Sequence, residues 1–138
     1  MDKLLNGVNH VAVLTKDMDR FIRFYQEAFG AKVEHDNPKH AGKEGERMVV
    51  MSLGDTGAFN VFQVPGNTEA EVQTPMFGRG RIDHFALSVP TREALEEVRQ
   101  RLIKLGASED VVTDFGNQLS VFFRDPDGLE AEVCWKKS

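Results

Sequence analysis

The chain has 138 residues, 41% hydrophobic and 28% charged, with a formal net charge of −5. That length suits one compact domain or two small half-domains, and the acidic balance argues against nucleic acid, which selects a basic face. No apolar run is long enough for a membrane span, the opening residues lack the apolar stretch of a signal peptide, and the single Cys134 fits a reducing cytoplasm.

Residues 7–14 alternate as a strand, with Val11 and Val13 on one face and His10, Ala12 and Leu14 on the other. Thr15 or Asp17 can cap the helix that follows. Its apolar residues Met18, Phe21, Ile22, Tyr25, Ala28 and Phe29 form one stripe, and Gly30 is a left-handed stop. Residues 32–36 read as a short strand and 37–46 as a polar loop. Residues 48–53 and 58–64 then make a hairpin around Gly54-Asp55-Thr56-Gly57.

Residues 65–81 carry the linker composition of the chain, with Pro65, Gly66, Asn67, Pro75, Gly78 and Gly80. A strand is expected over 82–89, and Pro90 and Thr91 open a helix with the stripe Leu95, Val98, Leu102 and Leu105, ended by Gly106. Strands over 119–123 and 129–135 join through Asp125-Pro126-Asp127-Gly128, a strong turn signal. Each half reads as strand, helix and three strands, the second strand of each half being weakly marked.

The two halves repeat one another. Asn9-His10-Val11-Ala12-Val13 returns 74 residues later as Asp83-His84-Phe85-Ala86-Leu87. Each half closes on a strand with a polar residue ahead of an apolar one, Asn60-Val61 and Glu132-Val133. These polar positions lie 50 residues after His10 and 48 after His84. Repeated supersecondary units direct attention to positions that recur in both copies. Two His and one Glu at such positions suit a divalent metal.

Parity groups these residues. If a helix covers the face holding Val11, Val13, Val61 and Val133, the opposite face carries His10, Ala12, Asn60 and Phe62 in the first half. In the second half it carries His84, Ala86, Ser88, Ser120, Phe122, Glu130, Glu132 and Cys134. Such faces would line a mostly apolar cavity with a few converging polar groups. The expected substrate pocket draws Ala12, Met48, Val50, Asn60 and Phe62 from the first module, and Ala86, Ser120 and Phe122 from the second. Glu130, about 7 Å from Glu132 along the strand, is expected as a solvated rim carboxylate. His35, His40, Arg79, Arg81 and Arg124 are expected on the surface, and Cys134 as a packing residue.

The two x-His-x-Ala-[Val/Leu] strands and the closing stretch from Phe122 to Val133 resemble the vicinal oxygen chelate superfamily. That superfamily includes glyoxalase I, bleomycin- and fosfomycin-resistance proteins and extradiol dioxygenases. The resemblance implies an α+β fold of two paired βαβββ modules enclosing a cavity. The single domain, 1–138, then comprises module 1 (about 6–64), the linker (65–81) and module 2 (about 82–136). It further implies His10, His84 and Glu132 as ligands of one divalent metal ion (Fe, Mn, Zn, Ni or Co), with Glu132 also a candidate proton acceptor. Asn60 falls where glyoxalases carry a Glu or Gln ligand, and being short and neutral it is not counted as one.

The implied activity is that of a metal-dependent enzyme on a small organic substrate that chelates the metal through vicinal oxygens. Both a glyoxalase-like lyase or isomerase and a dioxygenase fit. The alternative from another class is a non-catalytic protein that sequesters a drug or metabolite, as bleomycin-resistance proteins do. Relatives of this length imply a homodimer, with each site closed within one chain or shared between two.

Overall fold

A computed structural model describes residues 2–138. The chain divides into two compact units, one of residues 2–26 and 30–71, the other of residues 27–29 and 72–138. The first unit contains β1 (Val11–Leu14), α1 (Met18–Phe29, its last turn grouped with the second unit), β2 (Val33–Asn37), β3 (Arg47–Ser52) and β4 (Ala58–Gln63). The second contains β5 (Ala86–Ser88), α2 (Arg92–Lys104), β6 (Thr113–Asp114), β7 (Gln118–Arg124) and β8 (Glu130–Lys136). Their four-stranded sheets have the same order, β1-β4-β3-β2 and β5-β8-β7-β6, so both units are βαβββ modules of an α+β protein.

Local chemistry explains the helix ends. The Asp17 carboxylate accepts from the Arg20 N–H at 3.1 Å and caps α1, while Thr91 caps α2 through the Ala94 N–H at 3.0 Å. Gly30 closes α1 at φ 68°, a left-handed conformation that a side chain would oppose. The opening strands are shorter than the alternation predicts. Pairing with β4 begins at Val11 and pairing with β8 at Ala86, so His10 and His84 sit just ahead of their strands rather than inside them. A single 3-10 turn at His40–Gly42 interrupts the expected loop over 37–46.

The faces follow the expected parity. In the first unit Met18, Phe21 and Tyr25 from α1 are fully buried with Val49, Met51, Phe59 and Val61 from the sheet. The Phe21, Tyr25 and Phe59 rings pack with centroids 4.5–5.7 Å apart. In the second, Leu95, Val98 and Leu102 of α2 are buried with Leu119, Val121, Phe123, Ala131 and Val133. The opposite faces stay half-buried or exposed at Ala12, Leu14, Met48, Val50, Asn60 and Phe62, and at Ala86, Ser88 and Phe122. Among the described residues no helix is long and apolar enough to cross a membrane.

Two phenylalanines on β4 test this division. Phe59→Ala should cost about 3–5 kcal/mol of stability in urea unfolding, as deletion of a fully buried ring does. Phe62→Ala, on the other face of the same strand, should cost markedly less. Equal losses would mean that the helix does not cover the Phe59 face alone.

Candidate metal centre

The parallel pairing of first and last strands brings the repeated positions together. Ala12 lies opposite Asn60 in the β1–β4 register, and Ala86 lies opposite Glu132 in β5–β8. His10 and His84, two places earlier in the chain, therefore hold equivalent positions in the two units.

In the second unit this produces a close pair. His84 Nε2 is 3.6 Å from Glu132 Oε1. The remaining polar atom of each partner is held elsewhere. His84 Nδ1 lies 2.6 Å from the Asp83 carboxylate, and a carboxylate can only accept, so Nδ1 carries a proton, and in the neutral ring the lone pair then falls on Nε2. The hydrogen bond from His84, the Phe77 N–H and the Arg79 charge hold the Asp83 carboxyl below the usual range. Glu132, only 9% exposed, accepts at Oε2 from the fully buried Ser120 hydroxyl at 2.5 Å. The Phe122 ring lies 5.8 Å from the imidazole of His84 and walls one side of the pair. A lone-pair nitrogen and a carboxylate oxygen aimed at one another, each with its outer atom engaged, form a donor set that fits a divalent cation.

His10 belongs to the first unit and is exposed. Its Nδ1 faces the Asn9 side-chain oxygen at 2.7 Å, the neutral counterpart of the Asp83 contact. His10, Val50 and Asn60 line a cleft of about 630 Å³ whose wall also includes Glu34. The β2–β3 register shifts between Val33 and His35, leaving Glu34 at the irregularity, where a bulge re-aims a side chain. Among the described residues no group of three or more His, Cys, Asp or Glu is gathered to hold a metal. The structure thus brings together His84, Glu132, Ser120 and Phe122 in one unit, and His10, Val50 and Asn60 in the other.

Several expectations about the surroundings change. Glu130 is not a solvated rim group: its side chain is 12% exposed and pairs with Arg79 at 3.3 Å and Arg124 at 3.1 Å. Arg79 is not a surface charge but a largely buried clamp, donating to the carbonyls of Thr74 at 2.7 Å and Asp83 at 3.0 Å. His40 packs edge-on against Phe62 with centroids 5.3 Å apart, so the loop returns one ring to the pocket face. Cys134 is a packed thiol whose pKa is pushed up by burial and by the neighbouring Glu132 charge. Asp83 and Asn9 went unread in the sequence, although a polar residue directly before each repeated histidine was a visible signal.

Comparison with known proteins agrees with this architecture. The model of the Glyoxalase/Bleomycin resistance protein/Dioxygenase superfamily matches residues 7–133. The uncharacterized protein YwkD of Bacillus subtilis is 25% identical over 133 residues, 94% of this chain and 97% of that protein. The glyoxylase/bleomycin resistance protein/dioxygenase domain from Frankia sp. EAN1pec superposes with a TM-score of 0.78 at 23% identity, covering 97% of this chain and 94% of that one. A mutant of the fosfomycin resistance protein FosX from Listeria monocytogenes, complexed with Mn(II) and 1S,2S-dihydroxypropylphosphonic acid, gives 0.70 at 17% identity, with 94% and 92% covered. At such identities the two structures share the fold alone. Fold, repeat and family model together place the chain in the Glyoxalase/Bleomycin resistance protein/Dioxygenase superfamily.

Proposed function

We propose that the chain is a metal-dependent enzyme of this superfamily acting on a small organic substrate. The observation that carries this reading is the His84–Glu132 pair, with Nε2 and Oε1 3.6 Å apart and their outer atoms held by Asp83 and Ser120. A buried carboxylate beside an imidazole lone pair costs stability unless a cation or proton joins them. His10, whose Nδ1 faces Asn9 as that of His84 faces Asp83, is the third ligand, contributed by the same chain or by a second copy in a homodimer. When bound, the metal would supply Lewis-acid stabilisation of negative charge developing on vicinal substrate oxygens.

The protein's own groups do the rest. Ser120 holds one oxygen of Glu132, so the carboxylate presents the other as ligand or as proton acceptor. Ala12 and Ala86 keep the sheet faces open beside the ligand positions, and Met48, Val50, Phe62 and Phe122 supply apolar walls. Asn60 is too short and too weak a donor to replace the acidic ligand of glyoxalases, and reaches the ion only through water. That leaves coordination positions for a chelating substrate. A lyase or isomerase and a dioxygenase both use such a site. The FosX structure with Mn(II) and a dihydroxypropylphosphonic acid supports the general idea, being a protein of the same fold complexed with a metal and a vicinal diol.

Metal analysis of protein purified without chelator or His tag tests the reading. His84→Ala should lose most of the bound metal while unfolding at nearly the wild-type temperature; unchanged stoichiometry would contradict the assignment. Wild-type protein that stays metal-free in the presence of Mn(II) would favour sequestration of a small molecule instead. Asn60→Glu should bind Mn(II) more tightly than wild type, and equal affinities would show that residue 60 does not reach the ion. Mixing His10→Ala chains with Glu132→Ala chains should restore one intact site per heterodimer if the site is shared. No recovery, or a monomer in sedimentation at micromolar concentration, would remove the shared arrangement.

A further inference from the structure

The linker between the two units ends in a built network rather than a loose strap. Arg79, 17% exposed at its side chain, donates to the Thr74 carbonyl through Nε at 2.7 Å and to the Asp83 carbonyl through Nη1 at 3.0 Å. The same guanidinium lies 3.7 Å from the Asp83 carboxylate and 3.3 Å from Glu130, two residues before Glu132 on β8. Asp83 is fixed a second time, since its Oδ1 accepts from the Phe77 N–H at 2.5 Å. Its other oxygen, Oδ2, receives the His84 Nδ1 proton at 2.6 Å. One cation thus ties a linker turn, the carboxylate behind His84 and the strand of Glu132 into a single unit. In the first module Asn9 stands behind His10 with an amide oxygen in the same role and carries no charge of its own.

We infer that Asp83, pinned by Arg79, is the positioning residue that fixes the tautomer and ring orientation of His84, so that Nε2 faces Glu132. This deepens the proposed metal site and rests on it for its consequence in affinity, though not for the geometry. A neutral imidazole can carry its proton on either nitrogen, and only protonation at Nδ1 leaves a ligand lone pair on Nε2. Partners behind ligating histidines change metal affinity by about 10- to 100-fold when removed. Arg79 acts one step further out, by preventing Asp83 from turning to solvent. Lys could replace its charge but not its simultaneous contacts with two carbonyls and two carboxylates.

The test has two readouts on the full-length chain. One is Mn(II) affinity by chelator competition; the other, on metal-free protein, is which isotope-labelled ring nitrogen of neutral His84 carries the proton. Asp83→Ala should weaken Mn(II) binding about 10- to 100-fold and shift the His84 proton away from Nδ1. Asp83→Asn, with one acceptor oxygen for the two N–H groups that Asp83 receives, should fall between Asp83→Ala and wild type in both readouts. Arg79→Met should weaken Mn(II) binding, with Arg79→Lys falling between it and wild type. If Asp83→Ala binds Mn(II) like wild type and keeps the proton on Nδ1, the inference is overturned. It is equally overturned if Arg79→Met lowers only the melting temperature. If the wild type binds no Mn(II), the metal reading fails, while the tautomer shift in Asp83→Ala still decides the positioning role.

Discussion

The parallel pairing of the first and last strands is the constraint on which the chemistry of both units depends. A parallel pair cannot be joined by a tight turn, so each module must leave its first strand, pass through a helix and two further strands, and return. The return register sets Ala12 against Asn60 and Ala86 against Glu132. A slip of one residue would send Asn60 or Glu132 into the helix layer and bring Val61 or Val133 out. Burial of Val61 and Val133 with Phe59 and Val121 forbids that slip, so apolar packing on one face holds the polar residues on the other in place.

The two modules use the same frame for unequal ends. In the second, a carboxylate sits 9% exposed on β8, with a buried serine on one oxygen and an imidazole near the other. An ionised group in that setting needs compensation by hydrogen bonds and an opposite charge. Ser120 supplies the first; the second is what a cation would provide. In the first module the equivalent residue is a neutral amide, and the histidine beside it is exposed. The charged residue behind His84 and the neutral one behind His10 repeat this asymmetry one layer further out. The second module carries the preset His84–Glu132 pair, and the first offers a more open cleft with Glu34 on its wall.

Much of this was legible because it depends on local periodicity. The two helices, their caps at Asp17 and Thr91, the hairpin at Gly54–Gly57 and the side of the sheet taken by Val61 or Phe62 all follow from spacing and turn chemistry. The extents of β1 and β5 did not, because alternation continues through His10 and His84 while hydrogen bonding to the partner strand starts later. Arg79 and Glu130 could not be placed from sequence. Their burial depends on how a Pro- and Gly-rich linker folds back onto β8, which has no periodic signature. Glu34 was hidden for a similar reason: a one-residue irregularity in β2 changes the face a side chain takes. Asp83 was readable in principle, since the repeat that marked His84 also marked the polar residue before it.

The central claim is that His84 and Glu132 are ligands of one cation. Anomalous diffraction from crystals grown with Mn(II) tests it most directly. A single strong peak is expected within bonding distance of both His84 Nε2 and Glu132 Oε1, with a His10 Nε2 completing the set. A peak elsewhere, or none at that position in Mn(II)-saturated crystals, would contradict it.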